Sequence, residues 1–324
     1  MRAVLCTAHG PPETLSVAEI DDPVAGPGEV VVDVACAALN FFDSLIIENR
    51  YQFKPELPFS PGAECAGVVS AVGPGVDGGW VGRRVAAYVG WGACRERLAV
   101  KADRLVAIPQ GLSDEVAAGR MVTYGTSLHA LKDRAALQQG ETLAVLGAAG
   151  GVGLAAVEIG RLMGARVIAC ASSADKLAIA REHGADDVVD YGSADLKVAL
   201  RTLTGERGVD VIYDPVGGAL AEAALRAIAW KGRFLVVGFA AGDIPKIPLN
   251  LVLLKGCDVQ GVFWGAFADR EPAKHAGNVA SLFAWAQEGR IARGPVHLLP
   301  LERTGEAIRL IAERKATGKV VVRT

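Results

Sequence analysis

The run GAAGGVGL, residues 147–154, constrains this chain more than any other feature. The strand-length apolar stretch from Thr142 to Leu146 precedes it. After it, Val152, Ala155, Ala156 and Ile159 recur at i, i+3, i+4 and i+7, the spacing of a helix buried on one face. A second apolar run, ARVIACAS at 165–172, and the helical pattern of DKLAIAREHGA complete a βαβ unit. A glycine-rich turn between strand and helix lets the backbone approach a ligand, and the N–H groups and positive dipole at the helix start suit a pyrophosphate. Against the fingerprint GxGxxG, residues 148–153 read Ala148, Ala149, Gly150, Gly151, Val152 and Gly153, so alanine replaces the first glycine and the other two stand. Gly150, Gly151 and Val152 are candidate cofactor-binding residues.

The flanking patterns extend this unit. TLAVLG, RVIACAS, DVVDY, VDVIYDPV, GRFLVVGF and CDVQGVFWG read as six strands alternating with helices, which implies a doubly wound parallel sheet. Upstream, short apolar runs such as EVVVDVACAAL and CAGVVSAVG are broken by Gly, Pro and Asp clusters, the texture of an all-β module. The tail carries two helical patches and ends in GKVVVRT, a strand-like run. It is too short to be a domain alone and is expected to join the β module.

With 324 residues, 51% of them hydrophobic, the chain is long enough for two domains with substantial cores. A formal net charge of -2 gives no reason to expect a nucleic-acid partner. No apolar stretch approaches the roughly 20 residues that span a bilayer, and MRAVLCTAHGPP is too short in apolar residues for a signal peptide, so a cytoplasmic location is expected. Cys6, Cys36, Cys65, Cys94, Cys170 and Cys257 form no CxxC pair and read as reduced core residues.

Seven segments carry a resemblance along nearly the whole chain: AALNFFDSLIIENRY (37–51), PFSPGAECAGVVSAVG (58–73), TYGTSLHAL (123–131), GAAGGVGLAAVEI (147–159), GADDVVDY (184–191), VDVIYDPVGG (209–218) and KATGKVVV (315–322). By these the chain resembles the medium-chain dehydrogenase/reductase superfamily, and within it the zinc-free quinone oxidoreductases that include zeta-crystallin-like proteins. The resemblance implies a GroES-like β domain split around a Rossmann domain, with the active site between them. The expected division is 1–120, 121–262 and 263–324, the last returning to the first domain.

Where the zinc alcohol dehydrogenases of that superfamily carry a cysteine and a histidine ligand, this chain has Asn40 and Ala63. Catalytic zinc needs about three protein ligands and the structural zinc four cysteines, and neither set is present, so no metal is expected. Asp43 and Glu64 read as hydrogen-bonding groups that fix loops. Without a Lewis acid an alkoxide lacks stabilisation, whereas hydride delivery to an electrophilic acceptor has less need of one. The expected reaction is therefore NADPH-dependent reduction of a small quinone or other conjugated carbonyl. Reduction of an enoyl-thioester or alkenal double bond is the alternative, and an NADPH-binding crystallin-like protein with little turnover is the reading from another class.

Several site residues follow from the resemblance. Tyr51 stands where enoyl-thioester reductases carry a tyrosine acid, and either donates a proton or lines the pocket. Asn40 would lie near the nicotinamide, or serve as a turn residue; Thr126 would contact the cofactor, or cap a helix. Val262 and Phe263 would supply backbone contacts to the nicotinamide carboxamide, and Gly238 joins the same set. The NAD-specific acidic residue about 20 positions past the glycines is replaced by Ala171, while Ser172, Ser173 and Lys176 offer hydroxyls and a cation for a 2′-phosphate. Tyr191 would lie along the adenosine and Lys315 would face the phosphate; the plain alternatives are a helix cap for Ser173, surface charge for the lysines and packing for Tyr191. The strand-like CDVQGVFWG, by the family's habit of pairing this edge, implies a homodimer.

Overall fold

The computed structural model describes residues 1–292, 297–316 and 318–324. The chain divides into two compact units, residues 1–125 with 265–324, and residues 126–264. The division falls inside helix Met121–Leu128.

Residues 126–264 build a six-stranded parallel sheet in the spatial order Asp187–Asp190, Arg166–Ala171, Thr142–Leu146, Val209–Asp214, Ile228–Val236 and Asp258–Gly261. In chain order that is 3-2-1-4-5-6, the doubly wound arrangement expected from the alternating pattern. Every residue of Thr142–Leu146 is buried, because helices cover both faces of a parallel sheet. The strand order reverses at this strand, and ligands bind such sheets at the reversal, beyond the carboxyl ends of the strands. The turn into helix Gly151–Leu162 begins one residue before the motif as aligned: Gly147 takes φ +61°, a conformation that favours glycine. Gly153 is needed for a different reason, since a Cβ there would stand 2.3 Å from the Gly147 carbonyl oxygen.

In the other unit, strand Glu29–Leu39 is the hub of a seven-stranded sheet. It pairs antiparallel with Glu64–Val72, Arg97–Lys101 and the tail strand Val320–Arg323. The terminal GKVVVRT thus closes onto the β module, with Val320, Val321 and Val322 buried. Val30, Val32, Leu39, Ile47, Phe59, Val85 and Val322 make up much of that core. All six cysteines are free and buried, consistent with thiols that serve as small apolar groups. Among the described residues no helix is long and apolar enough to cross a membrane.

Candidate active site and cofactor site

Strand Glu29–Leu39 ends against helix Phe41–Ile47, and Asn40 is the extended residue that joins them. Its N–H donates to Asp43 Oδ2 at 2.7 Å, while Asp43 Oδ1 accepts the Gly62 N–H at 2.9 Å. Asp43 therefore ties the start of the helix to the loop before the next strand, the loop-fixing role read from the sequence. Glu64 opens that strand, directly opposite Ala38 and Tyr88. It is 0% exposed and spends both oxygens on protein donors. Oε1 accepts from Asn40 Nδ2 at 3.0 Å and from the Lys319 ammonium; Oε2 accepts the Val122 N–H at 2.6 Å.

Lys319 also donates to Asn40 Oδ1 at 2.6 Å. The amide of Asn40 is consequently clamped at both ends, oxygen toward the ammonium and nitrogen toward the carboxylate. Asn40 is more than the turn residue its type suggests, because its side chain belongs to a buried ionic network. Charge-assisted hydrogen bonds of this kind are the strong ones. Lys319 was missed in the sequence reading. Its signal lay in the GKVVV segment, where a lysine immediately precedes three buried valines.

Burial pushes the Asp43 carboxyl up to about 7, although the N–H groups of Asn40 and Gly62 and the Lys319 charge oppose the shift. Tyr51 stacks on Phe42 with centroids 5.4 Å apart and tilts against Phe53 at 5.9 Å. Burial, reinforced by Asp43, raises its phenol above the ordinary tyrosine value and keeps it protonated at neutral pH. Burial raises the Tyr88 phenol too, with Tyr51 the next contributor. Tyr88 is a second residue of this region that sequence reasoning did not single out.

The oxygen atoms that a divalent cation would require are occupied by N–H donors and an ammonium. Among the described residues no group of three or more His, Cys, Asp or Glu is placed to hold a metal ion. An acid-and-amide set already neutralised by a lysine does not fit zinc, which takes thiolate, imidazole or carboxylate ligands.

In the other unit the cofactor candidates gather at the carboxyl ends of the sheet. Gly150 is the N-cap of helix Gly151–Leu162, and Ser127 Oγ donates to the Val152 carbonyl at 2.9 Å, anchoring the first turn. Thr126 is a buried interior residue of helix Met121–Leu128, so the capping alternative does not hold for it. Ser173 does take the N-cap position of helix Ala174–Glu182, yet its hydroxyl makes no capping bond. Beside it Lys176 Nζ donates to Ser172 Oγ at 3.3 Å. The Tyr191 N–H bonds to the Ala171 carbonyl at 3.0 Å, bringing the end of the next strand alongside. Ser172, Ser173, Lys176 and Tyr191 thus form one cluster.

Gly238 and Val262 follow neighbouring strands: the Gly238 N–H reaches the Asp214 carbonyl at 3.3 Å and the Val262 N–H reaches the Val236 carbonyl at 2.9 Å. Phe263 is half-exposed beside them. Lys315 belongs to the other unit, where it is exposed and paired with Glu313 at 2.6 Å. Trp264, which follows Phe263, is buried in the chain itself.

Residues 26–126 match the alcohol dehydrogenase GroES-like domain, and residues 151–277 match the zinc-binding dehydrogenase family. Quinone oxidoreductase-like protein 2 of Rattus norvegicus is 37% identical over 322 residues, which cover 99% of this chain and 91% of the rat protein. The chain belongs to the quinone oxidoreductase family of the medium-chain dehydrogenases/reductases. It is an oxidoreductase of that family. Among solved structures, the quinone oxidoreductase of Thermus thermophilus, determined alone and with NADPH, shares 35% identity and a TM-score of 0.85, each chain covered in full. The Escherichia coli quinone oxidoreductase complexed with NADPH gives a TM-score of 0.93 at 26% identity, again over both whole chains.

Proposed function

We propose that this protein is a zinc-independent, NADPH-dependent reductase of a quinone or another conjugated carbonyl acceptor. The observation that carries the reading is the Lys319–Asn40–Glu64 network, which fills with nitrogen donors the positions a catalytic metal would need. When bound, NADPH supplies the hydride. Tyr51 holds a proton in an aromatic wall and gives it, or a hydrogen bond, to the oxygen that gains charge as the acceptor is reduced. Asn40 orients the neighbouring polar groups and cannot rotate away. The test is loss of NADPH absorbance with a panel of quinones, alkenals and enoyl-CoA esters in the presence of a chelator. Turnover with at least one conjugated acceptor, unaffected by the chelator, is expected; no turnover with any would leave a binding protein, and loss on chelation would restore a metal.

The preference for NADPH rests on the Ser172, Ser173, Lys176 and Tyr191 cluster. No carboxylate stands at Ala171 to repel a 2′-phosphate, and the Ser173 hydroxyl is not used as a cap. Hydrogen bonds to charged groups contribute about 1.5 to 3 kcal/mol, so Lys176→Ala is expected to weaken NADPH about 10- to 100-fold and leave NADH nearly unchanged. Titration by cofactor fluorescence checks this, and a parallel loss of both cofactors would overturn it.

A homodimer is proposed through the sheet edge. Helix Leu249–Lys255 presents Leu249, Leu253 and Leu254 at 79%, 78% and 71% exposure, near the edge strand Asp258–Gly261 in sequence. An exposed apolar face of this kind marks an interaction surface. Sedimentation at micromolar concentration should give a dimer for the wild type and a monomer for Leu253→Glu; a monomeric wild type would refute the proposal.

A further inference from the structure

Arg120 precedes helix Met121–Leu128 and is 4% exposed. Its guanidinium lies over the Tyr124 ring, 4.1 Å from the centroid. Nε and Nη1 are shielded from water and have no hydrogen-bond partner among the described residues. A guanidinium keeps its charge at any physiological pH, so a buried one without a counterion is strongly unfavourable unless something else pairs with it.

The carboxylates close to it in the chain are committed elsewhere. Asp114 binds Arg84 at 2.6 Å, and Glu115 binds Arg323 at 2.5 Å. Glu64, reached through the Val122 N–H two residues on, already serves Lys319 and Asn40. Lys319 itself packs against Gly119, where a Cβ would lie 2.9 Å from its Cγ. Glu64 is thus already shared by Lys319 and two N–H donors, while Nε and Nη1 of Arg120, two residues before Val122, have no hydrogen-bond partner among the described residues.

We infer that Arg120 receives an oxyanion carried by the acceptor, a carboxylate on a conjugated ketone or enoate. The aromatic face of Tyr124 holds the guanidinium plane, and the edge of such a plane matches a carboxylate with paired N–H donors. This inference rests on reading the Asn40 region as the acceptor site. A phosphate of the cofactor is the other source of the same chemistry, and the test separates the two.

The probe is (E)-4-oxo-2-pentenoate, compared with its methyl ester, an acceptor of the same shape without the charge. The wild type is expected to favour the acid, and Arg120→Met to lower the acid-to-ester ratio of kcat/KM by about 10- to 100-fold, with Arg120→Lys recovering part of it. An unchanged ratio overturns the inference. NADPH affinity of Arg120→Met should match the wild type; a comparable loss there assigns the anion to the cofactor and overturns the acceptor assignment. Stability gives an independent reading: exchanging an unpaired buried charge for an apolar chain of similar length should raise Tm, and a lowered Tm makes Arg120 a structural residue. If neither acid nor ester is reduced, binding of the acid followed by intrinsic fluorescence still decides. Binding lost in Arg120→Met supports the anion site while the reductase reading fails; no binding, or equal binding, overturns the anion site.

Discussion

Tyr51→Phe is expected to lower turnover of enones and enoyl esters by roughly 10- to 1000-fold, the span of acid catalysis or of one lost oxyanion donor, while changing quinone turnover far less. The substitution keeps the ring, so its contacts with Phe42 and Phe53 survive and only the hydroxyl is lost. Hydride added to the β-carbon of an enone leaves an enolate that needs a hydrogen bond and then a proton. Reduction of a quinone builds an aromatic ring, and its oxygens take protons from water. Burial raises the Tyr51 phenol, so the acid form persists at and above neutral pH and the enone rate should decline only in the alkaline range. Steady-state rates for both acceptor classes across pH 6 to about 10 measure this. Equal, small effects on the two classes would make Tyr51 a lining residue.

The six parallel strands were legible because each is a short apolar run bounded by turn residues; the inner strand Thr142–Leu146 is buried throughout, as a sheet covered on both faces demands, whereas the edge strand Asp258–Gly261 is mostly exposed. The glycine-rich turn between strand and helix was legible apart from its first glycine, since φ +61° falls on Gly147 while Ala148 needs no special conformation. Ser172, Ser173 and Lys176 lie close in the sequence because one strand end and one helix start hold all three. The Asn40 region is different. Asn40 and Lys319 are 279 residues apart, and only the pairing of Val320–Arg323 with Glu29–Leu39 brings them together. No local period reports that pairing. Arg120 was invisible for the related reason that an arginine in a helical stretch reads as a surface charge, and only the fold reveals its burial.

The two buried cations make opposite demands on stability. Nε and Nη1 of Arg120 have no hydrogen-bond partner among the described residues, so replacing it by an apolar chain is expected to stabilise the protein; Lys319 has two partners, and its removal should do the reverse. Lys319→Met leaves the fully buried Glu64 with only the N–H groups of Asn40 and Val122. Breaking one side of a buried pair typically costs about 3–5 kcal/mol, chiefly through the charge left behind. The loss should depend on pH, with a definite sign. The Asp43 carboxyl, already raised to about 7 by burial although Lys319 lowers it, moves further up relative to the unfolded chain once the ammonium is gone. A raised carboxyl pKa means the folded state binds more protons than the unfolded one, so stability falls as pH rises from the unfolded value near 4 through the folded value. Wild type and variant lose stability alike up to the wild-type Asp43 value of about 7, and above it only the variant goes on losing, so the deficit of Lys319→Met should be smallest near pH 4 to 5 and larger at about pH 8. Urea unfolding of wild type, Lys319→Met and Lys319→Arg at the two pH values measures it, with the arginine variant expected to retain most of the stability. A deficit that stays below about 1 kcal/mol at pH 8, the range of an exposed ion pair, would mean that the network is wetter and weaker than its geometry indicates.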